Sequence, residues 1–195
     1  MSAIDSLTGA LMAIGIREAT DADLPSIVEI VNLAIESSPY VWTEIRTTIE
    51  ARRRWLDEHR QADYPVLVAY ASGDESSVVG WGSLSAFRPR DGYRFTAEVS
   101  IYVHPRVQRR GVATQLVAAL EPLARNRSLH ALIAVIDAEH TASVALFEHF
   151  GYIERGRLPE AGRKFDAWRD EVFLVKLLDS NPRGETKDLP PLTDN

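Results

Sequence analysis

The stretch EVSIYVHPRVQRRGVATQLV, Glu98 to Val117, runs a strand-like alternation into three arginines, a glycine and then a helical pattern with no spacer. The first backbone N–H groups of a helix have no partner within it, and the helix dipole adds partial positive charge there. Phosphate is the ligand that such a place favours. Gln108, Arg109, Arg110, Gly111, Val112, Ala113 and Thr114 make up the turn and the first helical residues. The glycine lets the backbone come close to a ligand, and the small alanine lets it pass the first helical turn. Neither a G-x-G-x-x-G fingerprint nor a G-x-x-x-x-G-K-[ST] loop occurs in the chain, which disfavours dinucleotides and nucleoside triphosphates. A diphosphate held mainly by backbone remains, beside the plainer reading of a solvated basic turn.

The rest of the composition narrows the setting. A chain of 195 residues with 45% hydrophobic content suits one domain with a full core. The net charge is −6 and the 22 basic residues cluster only at Arg52 to Arg54 and Arg106 to Arg110, so nucleic-acid affinity is not expected. With no cysteine there is no disulfide, thiolate metal site or cysteine nucleophile, and His104, His140 and His149 lack zinc-helix spacing; no metal is expected. Leu11 to Ile14 is apolar but follows no basic region, and no apolar run approaches about 20 residues, so a soluble, cytoplasmic protein is expected without a membrane partner.

Patterning places the turn within an alternation of elements. A short strand at Ile14 to Arg17 precedes a helix from Asp21 to Glu36, capped by Thr20 or Asp21. Ser37, Ser38 and Pro39 end it. A charged second helix covers Thr47 to Arg60, its arginine triplet read as a solvated face. VLVAY and Val78 to Ala86, joined by SGDES, predict a hairpin, and Phe95 to Val103 the next strand. A helix then starts at Gly111, with Pro122 expected to shorten or kink it. His130 to Asp137 reads as a buried strand, Ala142 to Phe150 as a helix capped by Thr141 and closed by Gly151, and YIERGRL and WRDEVFLVKLL as the last two strands. Residues 1–13 are expected to be a flexible extension, 14–178 a single domain, and 179–195 a disordered tail.

With these elements around it, the turn resembles the acetyl-coenzyme A signature R/Q-x-x-G-x-G/A of the GNAT superfamily of N-acetyltransferases, Gln108, Gly111 and Ala113 standing at the matching places. FTAEVSIYVHPRVQRRGVATQL, AVIDAEHTASVALFEHFGYIERGRL and AGRKFDAWRDEVF resemble the phosphinothricin and methionine sulfoximine acetyltransferase group. The resemblance runs from about Ile16 to Leu178. It implies an α/β fold whose mixed, mostly antiparallel central sheet is flanked by helices and splayed between the fourth and fifth strands. It also implies acetyl-CoA as co-substrate, its pyrophosphate on the amides of Arg109 to Thr114 and its pantetheine paired with Ile101, Tyr102 and Val103. A homodimer is expected as well, on strands carrying Phe173, Leu174 and Val175.

The resemblance further implies roles for individual residues. An aliphatic ammonium has a pKa near 10, so acetyl transfer to an amine requires that a proton leave first. Glu98 matches the glutamate of T-x-E-x-S-x-Y-V and is the expected base; by itself it would read as a strand-surface charge. The N–H of Val103 is the expected oxyanion donor. Two departures stand out: Phe147 occupies the position that bears Tyr or His, and His140 replaces an asparagine that contacts the cofactor, while Ser143 is retained. Tyr152, His140 and water are all left open as the general acid. AFRPRDGYRFTAE puts Arg88, Arg90 and Tyr93 near Glu98, where two guanidinium groups would hold a carboxylate, with Trp42 and Phe87 as walls. Lys164, Trp168 and Asp170 match the group's tail, whereas Phe165 and Arg169 replace its histidines. The reading is an N-acetyltransferase for a small amino-acid-like amine. The alternatives are a non-catalytic acyl-CoA-binding module and an enzyme for a polyamine or a peptide N-terminus.

Overall fold

Residues 13–178 are described by a computed structural model; the expected extension, apart from residue 13, and the expected tail lie outside them. The elements follow one another as β1 Ile14–Glu18, α1 Leu24–Ser37, α2 Ile49–Gln61, β2 Val66–Ala71, β3 Val78–Ala86, β4 Thr96–Val103, α3 Val112–Asn126, β5 Ala131–Asp137, α4 Thr141–His149, β6 Ile153–Lys164 and β7 Ala167–Leu177. The strands form a single sheet in the order β1-β2-β3-β4-β5-β7-β6. Among the described strands only β4 and β5 run parallel. A parallel neighbour needs a crossover helix, and α3 supplies it.

Each face of the sheet carries its own apolar cluster. Leu116, Leu120 and Ala124 of α3 pack with Leu84, Ala97, Leu132 and Leu174 on one face. Ile27, Ile30, Val31 and Ile35 of α1 pack with Val68 and Trp81 on the other, where Tyr102 joins them. Strand alternation in β4 therefore sends Ala97 and Val99 to the α3 side and Glu98, Ser100 and Tyr102 to the α1 side. Leu56 of α2 meets Leu24 and Val66 at the edge of this second layer.

The structure departs from the pattern-based reading in four places. Helix α3 continues through Pro122 to Asn126; the proline is exposed, and so is Ala118, whose carbonyl loses a partner to it. Arg53 and Arg54 are exposed, but Arg52 lies half-buried over the rings of Trp55 and Trp81, at 5.0 and 5.5 Å. The last two strands form a longer hairpin than expected, turning at Phe165 and Asp166, which both hold positive φ (48° and 61°). Leu174 is core rather than surplus, and the exposed apolar residues of the hairpin are Ile153, Leu158, Phe165, Trp168 and Leu177.

Candidate active site

The site begins where the sheet stops being a sheet. Strands β4 and β5 pair only as Thr96 with Ala131, Ala97 with Leu132 and Glu98 with Ile133, while β3 stays paired with β4 as far as Val103. His104 donates its N–H to the Val79 carbonyl and Phe87 donates to that of Thr96, which fixes the even-numbered residues of β4 as those bonded to β3. The Val99 N–H makes the last bond to β5, and the C=O of Val99 and the N–H and C=O groups of Ile101 and Val103 thus point toward β5 after β5 has diverged. An extended chain with amide groups of its own can pair with such an edge.

The opening is a cleft of about 270 Å³. Its lining includes Tyr40 and Val41 from the α1–α2 connection, Glu98 to Val103, Gln108, Val135 to Asp137, and His140, Ser143 and Phe147. Glu98, Ile101, Tyr102, Val103, Gln108, His140, Ser143 and Phe147, expected on sequence grounds, therefore share one cavity. A larger hollow of about 420 Å³ lies between the ends of α2 and α3, and its lining includes no residue of the turn or of the splay.

The turn sits at the wide end of the splay. Gly111 is the N-cap of α3 with φ 77°, Arg109 also holds positive φ (61°), and Gln115 is the residue that donates to the Gly111 carbonyl. The amides of Val112, Ala113 and Thr114 thus precede the first intrahelical bond. A Cβ built on Gly111 meets nothing within 4 Å, so space in front of the turn is open. Val112 is buried at 1% exposure and offers only its backbone. Fifteen residues of aligned peptide dipoles stand behind these amides, and the place suits an anion.

Glu98 is half-buried, and that burial, reinforced by the nearby Glu171, raises its pKa above the ordinary carboxylate range while Arg88 opposes the rise. Glu171 is raised by burial too, again against Arg88. A carboxylate so tuned is a better proton acceptor near neutral pH than an exposed one. Glu171, on β7, is a group that sequence reading missed; it stands in an ordinary strand alternation with nothing nearby in sequence to mark it. Tyr102 is raised as well, chiefly by burial.

The remaining predicted residues divide. Arg88 is exposed on the β3–β4 connection, its guanidinium 4.8 Å over Phe87, whose ring packs edge-on to Tyr93 at 5.8 Å. Arg90 heads the short Asp91–Tyr93 turn and is exposed. Phe87, Arg88, Arg90 and Tyr93 are not in the cleft lining; of them, Arg88 is the one whose charge bears on Glu98. Trp42 also stands behind the lining rather than in it, donating its indole N–H to Asp137 at 2.9 Å. Phe147 is core, at 3% exposure, and packs edge-on to Tyr152 at 5.0 Å. Tyr152, at 2% exposure, lies outside the lining, which separates its hydroxyl from the cleft, and burial and Glu121 push its pKa far up. His140 is stacked on Tyr40 at 4.3 Å, and burial holds its pKa down against the pull of Asp137.

The family model described as Acetyltransferase (GNAT) family matches residues 27–152. An L-methionine sulfoximine/L-methionine sulfone acetyltransferase of Pseudomonas aeruginosa is 36% identical over 168 residues, 86% of this chain and 96% of that one. An L-amino acid N-acyltransferase of Escherichia coli is 34% identical over 164 residues, 84% and 94% of the two chains. Among solved structures, a phosphinothricin acetyltransferase from Sinorhizobium meliloti in complex with acetyl-CoA is similar with a TM-score of 0.85 at 29% identity, over 91% of this chain and 95% of that one.

The environment of Glu98 makes a signed prediction. Carboxyl-carbon NMR, with Glu98→Gln to assign the resonance, should give a pKa above the ordinary glutamate value of about 4.3. Glu171→Gln removes a like charge and should lower it; Arg88→Ala removes a favourable one and should raise it further. A value at or below that of an exposed glutamate would overturn this account of the site.

Proposed function

This chain belongs to the acetyltransferase (GNAT) family, and from that premise we propose that it moves an acetyl group from acetyl-CoA to the primary amine of a small amino-acid-like acceptor, with Glu98 as general base. One observation carries the reading: β4–β5 pairing ends at Glu98, so the proton acceptor and the unpaired amides of Ile101 and Val103 border one cleft. Acetyl-CoA fits the residues present. The open space before Gly111 and the first amides of α3 suit its diphosphate, the edge of β4 suits the amides of its pantetheine, and Ser143 and His140 line the far wall. The thioester supplies an activated carbonyl and a thiolate leaving group.

The side chains and backbone then have separate tasks. Glu98 takes the proton that the acceptor ammonium must lose, so that the amine lone pair is free to attack. The N–H of Val103 faces the splay, where negative charge develops on the carbonyl oxygen. Arg88 and Arg90, on the connection leading to Glu98, are the clamp for an acceptor carboxylate. A thiol with a pKa near 8.5 leaves as thiolate close to neutral pH, which is consistent with an apolar Phe147 in the wall. The relatives named for methionine sulfoximine, methionine sulfone and L-amino acids support the acceptor class. The exposed Leu158, Phe165 and Trp168 of the β6–β7 hairpin support a second copy of the chain as partner.

The test is a panel of amines with acetyl-CoA, followed by release of free thiol, containing methionine sulfoximine, methionine sulfone, phosphinothricin, free amino acids and polyamines. The carboxylate-bearing amines should be the substrates, and turnover of polyamines alone would reject the acceptor class. Glu98→Gln should lower kcat/KM about 100-fold near neutral pH with acetyl-CoA affinity unchanged, the deficit shrinking as pH nears the amine pKa. A wild-type rate at neutral pH would reduce Glu98 to a strand charge. Gly111→Asp should abolish acetyl-CoA binding in calorimetry, since it strains a positive φ and sets a carboxylate before the turn amides. Sedimentation should give twice the 21.8 kDa of one chain at micromolar concentration, and a mass of one chain would refute the pairing.

A further inference from the structure

The connection between α1 and α2, residues 38–48, has no regular secondary structure, yet side chains distant in sequence tie it down along its length. Asn32 grips Thr47 in both directions, donating to its carbonyl at 3.1 Å and accepting its N–H at 2.8 Å. Lys164, at 1% exposure the end residue of β6, donates to the carbonyls of Ile35 at 2.8 Å and Thr43 at 2.5 Å. Trp42 lies so close over Gly162 that a Cβ there would stand 2.2 Å from its Cε3, and its indole N–H goes to Asp137. Arg169 grips the same carboxylate with a fork, Nε to Oδ2 at 2.7 Å and Nη2 to Oδ1 at 2.9 Å, and reaches Glu139 with Nη1 at 2.9 Å. The Tyr40 ring is held between His140, stacked at 4.3 Å, and the Arg169 guanidinium, 5.4 Å from its centroid.

A buried lysine and a buried aspartate–arginine pair are poor sources of net stability, because desolvation consumes most of what their attraction returns. What they do supply here is position. Trp42 and Arg169 meet on one carboxylate, Lys164 holds the carbonyls on either side of the connection's first turn, and the residues between them, Tyr40 and Val41, line the cleft. That lining lies on the α1 side of the sheet, the side to which β4 sends Glu98.

We propose that the Trp42–Asp137–Arg169 network and Lys164 are positioning residues that latch the α1–α2 connection as a fixed roof over the acceptor, so that the acceptor meets Glu98 under Tyr40 and Val41 in a pocket formed before it binds. This rests on the acetyl-transfer reading above and adds to it the part of the chain that orders the acceptor pocket. Holding the roof in advance spares the acceptor the entropy of ordering the eleven residues of the connection, so the latch acts on acceptor binding. The thioester site lies mainly on the turn and the β4 edge; the latch meets its far wall only where Tyr40 stacks on His140.

Arg169→Met leaves Asp137 buried without its cation and can fail to fold, so Trp42→Phe is the principal variant: it removes the indole N–H together with part of the ring, keeps an aromatic against Gly162 and leaves the ion pair whole. Acceptor KM should rise about tenfold, with kcat within about twofold and the calorimetric Kd for acetyl-CoA unchanged, a split that general destabilisation does not produce. Where Arg169→Met folds, its effect combined with Trp42→Phe should fall short of the product of the two, since both act through one carboxylate. An unchanged acceptor KM, or a KM and an acetyl-CoA Kd that weaken together, would overturn the proposal. If the wild-type chain acetylates no amine of the panel, the acetyl-transfer reading fails by itself. Hydrogen exchange then tests the latch: faster exchange confined to residues 38–48 in Trp42→Phe supports it, and unchanged exchange rejects it.

Discussion

Two parallel strands that pair over three residues and then part leave a row of backbone groups with no sheet partner, and the rest of the molecule is arranged around that break. Buried N–H and C=O groups must be satisfied. Beyond Glu98 the carbonyl of Val99 and the groups of Ile101 and Val103 face a cavity instead of β5, so the fold holds open an edge that a continuous sheet would have consumed. Helix α3 is the crossover that a parallel pair requires, and its start, at the wide end of the parting strands, sets a turn suited to an anion beside the edge. The one parallel contact in an otherwise antiparallel sheet thus accounts for both halves of the site.

The two faces of β4 divide the labour. Ala97 and Val99 fasten the strand to the α3 cluster, while Glu98, Ser100 and Tyr102 turn to the opposite side, where Tyr102 stacks on Trp81 at 4.6 Å and Trp81 in turn meets Trp55 at 5.2 Å. Arg52 lies over both tryptophans with its pKa lowered, mainly by burial. Aromatic packing keeps this side apolar around a carboxylate, and the same desolvation that makes Glu98 costly to ionise makes it a stronger base. Arg88, exposed to water, tempers the shift without cancelling it.

Much of this was legible in the residues. Hydrophobic period and glycine placement located the elements to within a few residues, and the spacing of Gln108, Gly111 and Ala113 located the turn, because those signals are local. The misses have physical reasons. Arg109, Phe165 and Asp166 hold positive φ, a conformation whose usual sequence marker is glycine or asparagine, so neither the second left-handed residue of the turn nor the tight end of the β6–β7 hairpin could be read. Arg52 sat in a charged triplet, and only the packing of α2 against β3 turned it inward. Asp137, Glu171 and Arg169 come from strands adjacent in the sheet but some thirty residues apart in the chain, and Trp42 from farther still; register brings them together.

The substitutions relative to the resembling group gain a common sense once register is known. Phe147 deprives the α4 wall of a proton donor, and Tyr152, the nearest phenol in sequence, is sealed in the core against it. His140 cannot serve freely either, since its ring is stacked on Tyr40 and burial disfavours its charged form. Arg169, standing where a histidine is found in that group, is consumed by Asp137 and Glu139 and presents its remaining face to Tyr40. Phe147 and Arg169 remove titratable function from the wall opposite Glu98 and add packing or fixed charge pairs, and the imidazole that His140 introduces is spent on stacking. The consequence is an asymmetric site: one side carries the tunable carboxylate and the exposed amides, and the other is built to hold shape. On the acetyl-transfer reading proposed above, proton transfer near neutral pH then falls to Glu98, raised by burial as its neighbour Glu171 is, and the departing thiolate relies on its own stability.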